Sequence, residues 1–138
     1  MNDEAYLRQV ASLSSRSDEP IKCASILVDT SGAVVARAYN SQRADDLVVS
    51  HAEMKAITEA NKVMGRKLIG ITAYGSCEPC TMCLTALIFA GVDRIVFSSR
   101  LNDLVEDDNK IDIDCFEFVK KFPYQPKIEL INLDTNER

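Results

Sequence analysis

Three side chains with metal-binding chemistry sit at a spacing that forces distant parts of this chain together. His51 lies in Ser50-His51-Ala52-Glu53, and further along Cys77-Glu78-Pro79-Cys80-Thr81-Met82-Cys83 offers two thiols three positions apart. Thiols at that spacing on one helical turn can reach a single ion. An imidazole makes a third ligand, and three protein ligands leave zinc a position for water, whereas closed structural sites carry four. The fold must therefore set the start of one helix against the start of another, where unpaired backbone N–H groups and the positive dipole end favour thiolate over thiol. Glu53 follows His51 by two residues and can reach the same space, which makes it the candidate acid–base group. Other readings exist for each part. Ser50-x-x-Glu53 is also a capping box with no catalytic role. A bare C-x-x-C can be redox-active, but that leaves Glu53 and His51, the only histidine, unexplained. Cys77 could complete a closed site as a fourth ligand, although its place ahead of Glu78-Pro79 argues against it.

Hydrophobic periodicity supplies the elements around these motifs. Tyr6, Val10 and Leu13 predict an amphipathic helix over Asp3–Ser15, capped by Asn2 or Asp3. Cys23–Val28 and Ala33–Tyr39 are β-rich runs joined by Asp29-Thr30-Ser31-Gly32, so an antiparallel hairpin follows. Ser50–Met64 reads as a helix stopped by Gly65. Ile71–Tyr74 is a strand, Pro79 opens a helix that is apolar almost all round and therefore buried, and Gly91 closes it. Arg94–Ser98 is a further strand, Leu101–Lys110 an acidic loop, Ile113–Lys121 a helix, and Lys127–Leu133 a last strand reached by a parallel crossover. The expected fold is α/β: a mixed five-stranded sheet covered by helices.

At 138 residues and 46% hydrophobic, the chain can bury one continuous core, so a single domain over 1–138 is expected. The acidic opening lacks the basic flank and apolar run of a signal peptide, and no apolar stretch approaches the ~20 residues of a membrane span. A soluble cytoplasmic protein without membrane contact is the expectation. Five cysteines form an odd set, two of them at metal spacing. A disulfide framework is then the weaker reading, and burial as small hydrophobes is the default for Cys23, Cys77 and Cys115. The net charge of −5 works against phosphate backbones, which are bound by clustered Lys and Arg.

H-x-E followed by P-C-x-x-C is the pattern of zinc deaminases that act on nucleobases. From about Ile21 to Phe97 the chain resembles the cytidine deaminase superfamily, in particular its guanine deaminases, cytosine deaminases and bacterial tRNA adenosine deaminases. The resemblance implies a three-layer α/β/α sandwich of the cytidine deaminase type. It implies one Zn2+ per chain on His51, Cys80 and Cys83, with Glu53 carrying a proton from water to a ring nitrogen and then to departing ammonia. Asn40 would hydrogen-bond the base, and the backbone around Ala52 and Glu78 would meet the ring's polar edge. Asp103 would match the acidic residue that guanine deaminases use after the fourth strand. Asparagine also commonly ends strands, and Glu78 can simply hold its loop. The implied activity is hydrolytic deamination of a free nucleobase or nucleoside, of guanine or cytosine type, in purine or pyrimidine salvage. A tRNA adenosine deaminase and an inactive zinc-binding homologue are the alternatives. Many members of the superfamily carry a C-terminal helix whose aromatic residue closes the pocket. This chain ends at Asp134-Thr135-Asn136-Glu137-Arg138, so the site is expected to be more open or completed by the partner in a homodimer.

Overall fold

The computed structural model describes residues 2–106 and 110–133. Five strands form one mixed sheet: β1 (Ala24–Val28), β2 (Val34–Tyr39), β3 (Thr72–Gly75), β4 (Arg94–Phe97) and β5 (Lys127–Leu130), in the order β2-β1-β3-β4-β5. β1 runs antiparallel to both β2 and β3, while β3, β4 and β5 are parallel. The hairpin turn is fixed by Asp29, whose Oδ1 accepts the N–H groups of Ser31 and Ala33 at 2.9 and 3.0 Å. Gly32 there has φ +88°, a conformation that costs other residues energy.

Strand alternation divides the core between the two faces. Ala24, Ile26, Val28, Tyr74 and Val96 pack with Tyr6, Leu7 and Val10 of α1 (Asp3–Ser14), the helix started by Asn2 accepting from Ala5 N. Leu27, Ala73, Ile95 and Phe97 pack on the other face with Ala56, Ile57 and Ala60 of α3 (Ala52–Met64) and Leu84, Leu87 and Ile88 of α4 (Thr81–Ala90). The result is the expected α/β/α sandwich. A short helix, α2 (Gln42–Asp45), interrupts the loop between β2 and α3.

Several boundaries differ from the sequence reading. α3 begins at Ala52 with His51 as its N-cap, because Ser50 bonds Asp45 instead of capping. The capping box therefore does not form. Cys80 is the N-cap of α4, so Pro79 stands just outside that helix rather than in its first turn. α4 is not buried all round: Phe89 is 66% exposed, and packs edge-on to Phe122 with ring centroids 6.3 Å apart. The expected 113–121 helix contracts to α5 (Cys115–Phe118), capped by Asp114 Oδ1 on Glu117 N, and a 3-10 turn over Val119–Lys121. β5 stops at Leu130, short of the expected Leu133. Residues 107–109 of the acidic loop and 134–138 of the terminus lie outside the described residues.

Candidate active site

Strand direction gathers the site at one end of the sheet. Ala24 at the start of β1 faces Tyr39 at the end of β2, Ser25 faces Gly75 at the end of β3, and Gly75 faces Phe97 at the end of β4. The segments leaving or entering the sheet there carry Glu19–Cys23, Asn40–Gln42, Cys77–Cys80 and Leu101–Glu106, and all four line one cavity of about 710 Å³. The starts of α3 and α4 form its floor, contributing His51, Ala52, Glu53 and Cys80.

His51 Nδ1 lies 3.6 Å from Cys80 Sγ and 3.5 Å from Cys83 Sγ. Tetrahedral zinc with Zn–S about 2.3 Å and Zn–N about 2.0–2.1 Å would hold nitrogen and sulfur about 3.5 Å apart, so both nitrogen–sulfur distances match that ion. Helix-terminal amides serve the sulfurs as the sequence led us to expect: Cys83 N–H donates to Cys80, and Met54 N–H from the first turn of α3 donates to Cys83. The two thiols share protons unevenly. Hydrogen bonding from Cys83 pulls Cys80 down to about 4, and the same bond pushes Cys83 well above the ordinary thiol range. His51 is raised by its bond to Cys80. Two sulfurs and an imidazole nitrogen around one point are the donor types that suit zinc. Among the described residues, these three side chains converge and no fourth donor joins them.

Glu53, the second residue of α3, is 8% exposed and within hydrogen-bond reach of Cys83. Burial pushes its carboxyl up to about 7, against an ordinary 4.5. A carboxyl with that value both accepts and releases protons at neutral pH.

Asn40 lines the cavity, but its amide is already tied to the chain: Oδ1 accepts Cys23 N–H at 3.0 Å and Nδ2 donates to Ile21 C=O at 2.7 Å. One amide hydrogen and one lone pair remain for a ligand. Glu78 also lines the cavity, with its carboxylate accepting Leu101 N–H at 3.1 Å and Cys115 N–H at 2.8 Å. It anchors two loops. Asp103 is not brought to the cavity. It is exposed on a 3-10 turn, Leu101–Asp103, where side chains three apart eclipse, so Leu101 and Leu104 face the site and Asp103 turns aside.

Cys23 and Cys77 correct another expectation. They are joined as a disulfide across the cavity wall, with Cα atoms 5.9 Å apart, while Cys115 is free and buried as expected. The β1–β3 register explains the pairing, since continuing it two residues past Ser25 and Gly75 sets Cys23 opposite Cys77. With its sulfur bonded there, Cys77 is not a metal ligand. Glu19 and Gln42 also line the cavity, and no motif in the sequence marks them.

Residues 1–99 match the family described as the cytidine and deoxycytidylate deaminase zinc-binding region. The chain belongs to this deaminase family. Among curated relatives, it is 33% identical over 100 residues to the tRNA-specific adenosine deaminase of Bacillus subtilis, covering 70% of this chain and 62% of that protein. It is 30% identical over 112 residues to the guanine deaminase of Bacillus subtilis, covering 77% and 70% respectively. A solved structure from work on A-to-I editing by tRNA:A34 deaminases superposes with a TM-score of 0.69 at 27% identity, covering 90% of this chain and 92% of that one. The match thus spans less than two thirds of the tRNA enzyme's own length. As a member of the deaminase family the chain carries a zinc-binding domain, and His51, Cys80 and Cys83 are its candidate metal site among the described residues. Among the described residues, no helix is long and apolar enough to cross a membrane.

Proposed function

We propose that the protein is a hydrolytic deaminase of a free nucleobase or nucleoside, of guanine or cytosine type, and that the whole chain acts as one domain. The observation that carries this reading is the charge of the cavity. Glu19, Glu53, Glu78 and Glu106 line it, and no lysine or arginine does among the described residues. Two thiolates cancel the charge of a zinc ion, so a bound metal leaves the lining acidic, with Glu19 alone of the four paired among the described residues, to Arg43 Nε at 3.5 Å. A phosphate ~8 Å from one carboxylate costs roughly 2 kcal/mol at an effective dielectric of about 20. A neutral base avoids that penalty, and an amino-bearing ring edge finds acceptors.

Zinc held by His51, Cys80 and Cys83 would lower the pKa of a water molecule toward 7 at the cavity floor. Glu53 takes one proton from the attacking water and delivers it to a ring nitrogen beside the amino-bearing carbon, then takes the proton of the hydroxyl so added and passes it to the leaving ammonia as the carbonyl forms. Its burial in the cavity floor favours holding the proton between the two transfers. Asn40 holds the base by its remaining amide hydrogen, kept in place by Cys23 and Ile21. The backbone at Ala52, in the first turn of α3, presents an N–H with no partner inside its own helix.

The likeness to a tRNA-specific adenosine deaminase favours a second reading, in which the base is an adenosine within an RNA loop. Ammonia release from guanine, cytosine, adenine, their nucleosides and nucleotides, beside tRNA anticodon stem-loops at equal concentration, separates the two. The proposal expects turnover of a free base or nucleoside, with nucleotides poorer. Inosine formation in RNA with no small molecule consumed would establish the second reading. Zinc-loaded protein inert toward the whole panel would favour an inactive zinc-binding homologue.

A further inference from the structure

We propose that the Cys23–Cys77 disulfide is a reversible redox clasp on the substrate cavity, opened by a small dithiol and closed by exchange with a small disulfide, which leaves as two thiols. The two residues join the walls that matter for binding. Cys23 touches Asn40 through both of its main-chain groups: its N–H donates to Asn40 Oδ1 at 3.0 Å, and its C=O accepts Asn40 N–H at 3.0 Å. Cys77 immediately precedes Glu78, whose N–H donates to Ser99 C=O at 2.7 Å and whose carboxylate holds Leu101 and Cys115. The disulfide therefore fixes the base-binding asparagine against the loop that leads into Cys80. Ala24 N–H to Ser76 Oγ, at 2.9 Å, is the neighbouring tie between the same two segments. Without the covalent link, the Ala24–Ser76 pair, with Ala24 N–H on Ser76 Oγ and Ser76 N–H on Ala24 C=O at 3.2 Å, is the last tie at that end of the β1–β3 ladder, beside weak sulfur contacts.

Accessibility fits a reversible bond. Cys23 is only half-buried and both residues line the cavity, so a reagent of nucleobase size can approach from the substrate side. Where thiols are kept reduced, the disulfides that do form are mostly transient and catalytic or sensing, and nothing in deamination needs these sulfurs as reactants. In opening, one thiol of the dithiol attacks a protein sulfur, forming a mixed disulfide and releasing one cysteine thiol. The second thiol of the same molecule then attacks its own sulfur in that mixed disulfide, releasing the other cysteine. Two electrons and two hydrogens pass from the dithiol to Cys23 and Cys77, and the dithiol leaves as a cyclic disulfide. Cys23 and Cys77 are positioning residues: they act through Asn40 and the Glu78 loop.

Only the consequence for turnover rests on the deaminase reading, so the test includes readouts independent of it. Zinc-loaded protein treated with oxidised glutathione, then denatured with chelator, should titrate three thiols, Cys80, Cys83 and Cys115, and five after dithiothreitol. In the folded protein, dithiothreitol should speed amide exchange at Cys23 and Glu78 tenfold or more while zinc content stays constant. With guanine as substrate, reduced wild-type protein should show a KM raised at least threefold with kcat within twofold. Cys23→Ser and Cys77→Ser should reproduce that split and ignore dithiothreitol. Five thiols even after oxidised glutathione would overturn the proposal. So would three thiols with exchange at Cys23 and Glu78 indifferent to reduction. If guanine is not turned over at all, thiol count and exchange still decide the clasp, and the substrate reading alone is refuted.

Discussion

Replacing Glu53 with glutamine separates the catalytic reading of this residue from a structural one, because the two expect opposite changes in stability. The glutamine keeps the size and removes the ionisation. In the native structure the carboxyl is buried and its pKa is pushed up to about 7, from an ordinary 4.5. Below pH 4.5 the folded and unfolded chains both hold the proton, so the group costs nothing. Between 4.5 and 7 the unfolded chain ionises first, and stability falls as pH rises, levelling off above the folded value. At pH 7 the cost is about 3 kcal/mol, from 2.5 pH units of unequal ionisation at about 1.4 kcal/mol each, less the part recovered as the folded group begins to titrate. Chelator-treated Glu53→Gln should therefore be more stable than wild type by up to about 3 kcal/mol at pH 7, and equal to it near pH 4. Urea denaturation at the two pH values reads both numbers. The zinc-loaded variant should lose about 10²- to 10⁴-fold in kcat, the usual contribution of a general acid–base group. Retained turnover would remove Glu53 from the mechanism. A variant less stable than wild type at pH 7 would point to a structural role instead.

Other consequences of the structure can be checked directly. His51→Ala and Cys80→Ser should each lose stoichiometric zinc by metal analysis, since each removes one of three converging donors. Glu78→Ala should cost about 2–5 kcal/mol in chemical denaturation, because it strands the Leu101 and Cys115 N–H groups together. Asp3 is held below the ordinary carboxylate range by hydrogen bonds from Arg94, so its contribution is present above about pH 3.8 and is lost as pH falls through its lower folded value. Asp3→Asn should cost on the order of 1 kcal/mol at neutral pH, the scale of a part-exposed ion pair, and should flatten the acid limb of the stability profile.

What could be read from the sequence follows the range of the physics involved. Local signals carried the hairpin at Asp29–Gly32, the stop at Gly65 and the apolar stripe of α1. The metal donors were legible because their residue types leave few alternatives. Helix ends were less so: the Ser50-x-x-Glu53 spacing suits a capping box, yet Ser50 is drawn to Asp45, and His51 takes the cap position. Asp103 shows the same limit, since proximity along the chain says nothing about which way a 3-10 turn aims its side chains.

Cys23 and Cys77 mark where sequence reasoning stops, and also what would have extended it. Either cysteine alone reads as a buried small hydrophobe, and their separation of 54 residues carries no signal. What joins them is the adjacency of β1 to β3, a fact of sheet order that places the third strand in the chain, not only the second, beside the first. Once that order and its antiparallel sense are known, the pairing of Ser25 with Gly75 brings Cys23 to Cys77 without further assumption. The same adjacency leaves only β1 between Asn40, which follows β2, and the loop after β3 that carries Glu78 and Cys80. Metal donors, cavity-lining amide and disulfide are thus three results of one topological choice. A substitution that disturbed the β1–β3 pairing would be expected to loosen all three together, whereas one confined to α1 on the far face should leave them intact.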